Sequence, residues 1–186
     1  MKEKTTAIVL AAGQGKRMHS KIQKQFLEIQ GHPVLYYSLK CFQESPLIHD
    51  IIIVTGEDMI SYCKREIVER YQLTKVSAVI AGGKERYDSV YKGLLACEEC
   101  KYVFIHDGAR PYVNKESIDD LVECLKDYSA GLLMVPCKDT IKEVKDGIVV
   151  KTLKRETLMQ AQTPQVFKSE DIKIAYQKAK DEGFVA

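Results

Sequence analysis

"TAIVLAAGQGKRM", residues 6–18, decides how the rest of the chain is read. The uncharged run Thr6-Ala7-Ile8-Val9-Leu10 leads straight into Ala11-Ala12-Gly13-Gln14-Gly15. A short, continuously apolar run bounded by glycine reads as a strand covered on both faces, and such strands belong to parallel sheets. The pattern returns at Asp50-Ile51-Ile52-Ile53-Val54, Val76-Ser77-Ala78-Val79-Ile80, Tyr102-Val103-Phe104-Ile105 and Gly131-Leu132-Leu133-Met134-Val135. Amphipathic stretches lie between the runs. Residues 34–44 carry Val34, Leu35, Leu39 and Phe42, and residues 57–71 set Met59, Ile60, Cys63, Ile67 and Tyr71 at helical spacing. Asn114 reads as the N-cap of a helix over 115–128, with Ile118, Leu121, Val122 and Leu125 as its stripe. Strand and helix in alternation predict an α/β fold, Rossmann-like and doubly wound, with a mostly parallel sheet.

Residues 138–155 break the rhythm. They read as two strands around Lys145-Asp146-Gly147, a protruding β-hairpin arm with Ile141, Val144, Ile148, Val150 and Leu153 along one side. A two-stranded arm is marginal alone in water, so its apolar side calls for a partner surface such as a second copy of the chain. Residues 1–186, with the arm included, read as one domain.

Composition excludes several classes. The net charge of +2 on 186 residues sets up no field demanding nucleic acid. No apolar run approaches the roughly 20 residues of a membrane span, and the N-terminus lacks a signal-peptide core. The expectation is a cytoplasmic protein. Cys41, Cys63, Cys97, Cys100, Cys124 and Cys137 read as reduced thiols in or near the core. Cys97-Glu98-Glu99-Cys100 has CxxC spacing, but it lacks a second ligand pair for zinc and follows a helix instead of opening one. His19, His32, His49 and His106 show no ligand spacing, and none is assigned a catalytic role.

Ligands of open α/β sheets bind beyond the carboxyl ends of the strands. The segments there are Ala11 to Met18, Ala81 to Ser89, His106 to Pro111, and Pro136 to Thr140. The first fails as a dinucleotide loop, because Met18 stands where a third glycine or alanine is needed. It suits phosphates instead: backbone N–H groups from Ala11, Ala12, Gly13, Gln14 and Gly15 can approach the oxygens. Arg17 and Lys24 supply the charge a triphosphate requires. Gly82, Gly83 and Ser89 suit either a second backbone approach, to a base or ribose edge, or a turn closed by an N-cap serine. Asp107 suits either Mg2+ on nucleotide phosphates or a cap on nearby backbone.

Together "AAGQGKRM…KQF", "GGKERYDSV", "HDGARP", "DTIK" and "QTPQVF", in this order and spacing, resemble the 2-C-methyl-D-erythritol 4-phosphate cytidylyltransferase family of non-mevalonate isoprenoid synthesis. The resemblance runs from about residue 6 to the end. It implies a nucleotidyltransferase that joins CTP and 2-C-methyl-D-erythritol 4-phosphate, giving 4-diphosphocytidyl-2-C-methyl-D-erythritol and pyrophosphate with Mg2+. It makes Arg17 and Lys24 catalytic, sets Ala11 to Gly15 on the phosphates and Gly83 and Ser89 against the cytidine, and puts Asp107 near the metal-bound phosphates. It assigns Thr140 and Arg155 to the sugar-alcohol phosphate and makes the arm reach a neighbouring subunit of a homodimer. A phosphate monoester is already anionic near neutral pH. It needs no general base, in keeping with the lack of any Ser-His-Asp or Cys-His arrangement.

Two other functions share these motifs: a ribitol 5-phosphate cytidylyltransferase, and a nucleotide-binding module with weakened catalysis. The sequence also departs from the family pattern. Gln23 replaces a common proline, and Lys154 stands before Arg155 where aspartate is frequent. Relatives continue beyond the counterpart of Gly183-Phe184 with a Thr-Asp-Asp-type motif, a last strand and a lysine near the substrate. The expectation from that departure is a fragment or shortened gene product that binds CTP and turns it over poorly.

Overall fold

The computed structural model describes residues 4–13 and 22–183. In chain order the elements are β1 (Thr5–Ala11), β2 (Glu28–Ile29), β3 (His32–Pro33), α1 (Val34–Glu44), β4 (Asp50–Thr55), α2 (Ile60–Tyr62) and β5 (Val76–Ala81). There follow α3 (Arg86–Ala96), β6 (Tyr102–Asp107), α4 (Lys115–Cys124), β7 (Ala130–Pro136), β8 (Lys142–Lys145), β9 (Ile148–Thr152), β10 (Met159–Lys168) and α5 (Ser169–Asp181).

Alternate residues of the inner strands enter two different cores. Ala7 and Val9 of β1, Ile51 and Ile53 of β4, and Phe104 of β6 meet Leu35, Leu39 and Phe42 of α1 together with Ile118 and Leu121 of α4. Ile8, Ile52, Val54, Val103 and Ile105 point the other way, onto Val90 and Leu94 of α3 and Ile172 of α5. Burial on both faces is why these strands read as unbroken apolar runs. Each fully buried isoleucine contributes about 2–3 kcal/mol of transfer free energy.

The main sheet has the order β5-β4-β1-β6-β10-β7. β5, β4, β1 and β6 are parallel. The chain leaves β1 toward β4 and β5, then returns to β6 on the other side of β1. That reversal opens a crevice between the carboxyl ends of β1 and β6, the place where open α/β sheets bind ligands. No helix among the described residues is long and apolar enough to cross a membrane.

Several expectations are corrected. β10, which has no counterpart among the expected strands, is inserted antiparallel between β6 and β7. Its sequence hides it, because Pro164 cannot donate to a ladder and the register shifts between Ala161 and Gln165. β7 was read as covered on both faces, yet at the sheet edge Leu132, Met134 and Val135 stay exposed. The helix expected over 57–71 is a 3-10 turn (Glu57–Met59), then α2, then a π-helical stretch (Cys63–Glu69). Its wider turns still bury Cys63 and Ile67. The small hairpin of β2 and β3, turning at Gln30 and Gly31 with positive φ, was not anticipated.

Asn114 caps α4 as expected, its side chain accepting from the Ser117 N–H. The arm is also present: β8 pairs with β9 through Asp146 and Gly147, whose φ of 50° and 79° form the left-handed turn that favours glycine. Its expected single apolar side is corrected. A register shift after Glu143 pairs Val144 with Val149 and leaves Val150 as the extra residue, so apolar side chains lie on both faces.

Candidate active site

Beyond β1, the buried Gln25 organises the start of the glycine loop. Its Nε2 lies 2.5 Å from the Ala11 carbonyl and 3.1 Å from that of Gly13, and donates to them. This ties the turn Lys24–Phe26 to the strand end and leaves Lys24, next to Gln25, exposed. Ala11, Ala12, Gly13 and Lys24 therefore share one rim of the crevice. Gln14, Gly15 and Arg17 lie outside the described residues.

Beyond β5, the turn and α3 are built as one unit. The Gly83 N–H donates to Ser89 Oγ at 3.0 Å, and that hydroxyl donates to the Glu85 carbonyl at 3.2 Å. A Cβ on Gly83 would lie 2.1 Å from Cβ of Asp88, so only glycine lets the turn approach this closely. The N-cap of α3 is Glu85, in a capping box with Asp88; Ser89 sits inside the helix, which corrects its reading as an N-cap. After its two hydrogen bonds Ser89 keeps one acceptor lone pair.

Asp107, ending β6, lies between two guanidinium groups. Arg86 Nε is 3.0 Å from Oδ1, and Arg110 Nε is 3.2 Å from Oδ2. Arg110 also donates through Nη1 to Gln162 Oε1. Behind this cluster the fully buried His106 bridges the β6–β10 junction, with Nδ1 3.2 Å from Thr163 Oγ1 and Nε2 3.0 Å from the Arg110 carbonyl. Burial holds the imidazole well below its usual range, at about 4, so it is neutral at physiological pH.

Thr140 and Arg155 lie elsewhere, exposed at the base of the arm. Arg155 Nη1 donates at 3.2 Å to the carbonyl of Lys138, which lies two residues before Thr140 in the chain. Among the described residues no contact joins either of them to the Asp107 cluster.

Among the described residues the arrangement offers cations, backbone donors and one carboxylate, with no activated nucleophile. That is equipment for handling phosphates. Comparison with known proteins points the same way. Residues 5–186 match the model of the IspD family, 2-C-methyl-D-erythritol 4-phosphate cytidylyltransferase. The chain belongs to this family.

A relative of that name from Lachnospira eligens is 48% identical over 174 residues, covering 93% of this chain and 76% of its own. One from Clostridium novyi is 45% identical over 177 residues, with 95% and 77% covered. A solved 4-diphosphocytidyl-2C-methyl-D-erythritol synthase from Anaerococcus prevotii superposes with a TM-score of 0.87 at 28% identity, covering 99% of this chain and 78% of that one. The Francisella tularensis enzyme gives 0.79 at 33% identity, with 97% and 79% covered.

Around the candidate site, the residues that carried no signal of their own in the sequence are Gln25, Arg86, Arg110, Gln162 and Thr163. A partial signal existed in the proline of "QTPQ", since a proline in a strand marks a bulge that re-aims its neighbours. A metal site is a separate question. Among the described residues no three His, Cys, Asp or Glu side chains cluster to hold an ion. Asp107 alone offers one carboxylate, which suits a Mg2+ that arrives on nucleotide phosphates and keeps its waters.

Proposed function

We propose that the chain transfers the cytidylyl group of CTP to 2-C-methyl-D-erythritol 4-phosphate, releasing pyrophosphate. The observation that carries this reading is the Arg86–Asp107–Arg110 cluster at the topological switch point, beside the loop that Gln25 holds. The acceptor's phosphate attacks the α-phosphorus in line with the departing pyrophosphate. That oxygen is already ionised, so no residue has to take a proton. A neutral, fully hydrogen-bonded His106 fits this economy.

The chain's own contribution is neutralisation and alignment. Lys24 and Arg17 meet charge that grows on the phosphate oxygens, each lowering the barrier by about 3 kcal/mol. N–H groups of Ala11 to Gly15 hold the phosphates, while Gly83 and the free lone pair of Ser89 address the cytosine edge. Bound Mg2+, held by Asp107 and the phosphates, would supply further neutralisation. Arg86 and Arg110 keep the Asp107 carboxylate oriented toward the crevice.

A homodimer belongs to the same reading. The exposed apolar residues of the arm and of β7 form a surface for a second copy, and Thr140 and Arg155 at the arm's base then serve the acceptor phosphate beside the neighbouring crevice. A cytoplasmic setting accords with six free thiols.

Pyrophosphate release from CTP tests the reading, measured with 2-C-methyl-D-erythritol 4-phosphate, with ribitol 5-phosphate, and with neither. Release with the methylerythritol phosphate alone is expected. Release with ribitol 5-phosphate alone would transfer the activity to that acceptor. CTP binding without release in any arm would leave a nucleotide-binding module.

A further inference from the structure

The CxxC segment lies at the end of the sheet opposite the crevice, and none of the chemistry above uses it. Cys97 is the C-cap of α3, and CxxC spacing sets its thiol beside that of Cys100, each thiol shifting the other's acidity. Cys100 in turn approaches the first turn of α5, a 13-residue helix: its Sγ is 3.4 Å from Ser169 Oγ, and the Ser169 N–H donates to the Lys101 carbonyl. A motif that follows a helix in sequence thus meets the N-terminus of another helix in space.

The surroundings favour one thiolate over the other. Hydrogen bonding with Cys97, against the cost of burial, then with Ser169 and Thr6, and the charge of Lys173 hold the Cys100 thiol below the usual thiol range, favouring its thiolate. Cys97 is shifted the opposite way, by its hydrogen bond to Cys100, by burial and by the nearby Asp50. Lys4, paired with Glu98 at 2.8 Å, adds positive charge on the Cys100 side. Access exists as well. Cys97 lines a groove of about 220 Å³ between α3 and α5 with Tyr91, Leu94, Lys173 and Gln177, and Cys100 is half-buried.

We propose that Cys97 and Cys100 form a thiol–disulfide exchange site that reacts with small-molecule disulfides of the glutathione class, with Cys100 as attacking and Cys97 as resolving thiol. The Cys100 thiolate attacks one sulfur of the reagent, forming a mixed disulfide and expelling one thiolate, which takes up a proton. Cys97 then loses its proton and attacks Cys100 Sγ, expelling the second thiol. The dithiol gives up two electrons to the reagent disulfide, and two free thiols leave. The internal disulfide then closes at the ~2.05 Å of an S–S bond, as the CxxC spacing allows. Zinc is the poorer alternative, since two sulfurs fall short of its four ligands.

The tryptic peptide Gly93–Lys101 carries both thiols and no other cysteine, which makes the test direct. The full chain is equilibrated with reduced and oxidised glutathione near neutral pH, alkylated, digested and weighed. Gly93–Lys101 should escape alkylation as an internal disulfide, while Cys41 and Cys63, whose thiols burial pushes up (Cys63 to about 11), remain reduced. Cys97→Ser should accumulate glutathione on Cys100, and Cys100→Ser should carry none on Cys97. In the reduced wild-type chain, iodoacetamide should label Cys100 about tenfold faster than Cys41. This rate measurement needs no variant to fold. Equal labelling of the two, no internal disulfide, or an adduct on Cys97 in preference to Cys100 would each overturn the assignment. None of these outcomes depends on the transferase reading.

Discussion

Thr163 Oγ1 stands 3.2 Å from Nδ1 of His106, and through this contact β10 fixes the end of β6. The Asp107 N–H donates to the same threonine oxygen at 3.1 Å. Because the Arg110 carbonyl can only accept, His106 carries its proton on Nε2, and Nδ1 accepts from the Thr163 hydroxyl. The result is one directed chain from Asp107 N–H through Thr163 and His106 to the Arg110 carbonyl. It ties together both ends of the segment that presents Asp107 and Arg110 to the crevice.

Replacing Thr163 by valine keeps the shape and removes both bonds. The buried His106 Nδ1 and the partly buried Asp107 N–H are then left unpaired, which should cost about 3 kcal/mol in urea unfolding. Turnover should fall as well, and Thr163→Ser should restore both. A valine variant within about 0.5 kcal/mol of wild type would mean the chain of bonds is not as described.

His106 also gives the protein a pH signature. Its folded pKa of about 4 lies below the usual value of 6.5, so between them the unfolded chain binds the extra proton. Stability from this group is complete above about pH 6.5 and is lost as pH falls toward about 4, amounting to roughly 3 kcal/mol. Urea unfolding across that window should show the loss in wild type and a shallower slope in His106→Asn. Parallel slopes would assign the acid sensitivity to other groups.

What was legible in the sequence follows from which residues carry local signals. β1, β4 and β6 announce themselves because burial on both faces admits only apolar side chains. Asp146-Gly147 announces the arm because a two-residue turn needs positive φ. β10 stayed hidden because Pro164 and the shifted register erase its periodicity, and its side chains mix exposed and buried positions. The Asp107 position was legible as a strand end. Its partners Arg86 and Arg110 were not, since pairing across 21 residues and around a turn is set by tertiary packing. Gln25 carries no local signal, because a glutamine is ordinary in a polar loop, and only the folded turn shows it holding Ala11 and Gly13.

Asp107→Asn should separate activity from stability. Its two ion pairs are partly solvated, with the arginine side chains 49% and 45% exposed, and such pairs contribute about 0–1 kcal/mol. Unfolding should therefore change by less than about 1 kcal/mol, while pyrophosphate release falls at least about a hundredfold. A variant that kept wild-type turnover would remove Asp107 from the site.

Lys24→Ala probes the exposed rim of the glycine loop. A charge that meets the transition state, and not merely the bound nucleotide, should lower kcat about a hundredfold with a smaller rise in the KM for CTP. A raised KM with kcat intact would make Lys24 a docking contact.

The arm supplies the last prediction. Val144 and Val149 face each other across the hairpin, each 55% exposed, and Ile148 is 71% exposed at the turn. Met134 on β7 and Met159 on β10, close in sequence to where the chain enters and leaves the arm, are exposed as well. A surface of this kind stays in water only at a cost, and a stable dimer needs about 800 Å² from each partner. Sedimentation at micromolar concentration should give a dimer. Val144→Lys with Val149→Lys should convert it to a monomer and leave the far-UV circular dichroism unchanged, because neither side chain touches the main cores. If Thr140 and Arg155 act on the acceptor across the dimer, the monomer should bind CTP normally and lose most of its turnover. A wild-type monomer with full activity would refute the dimer, and a fully active lysine monomer would confine the site to one chain.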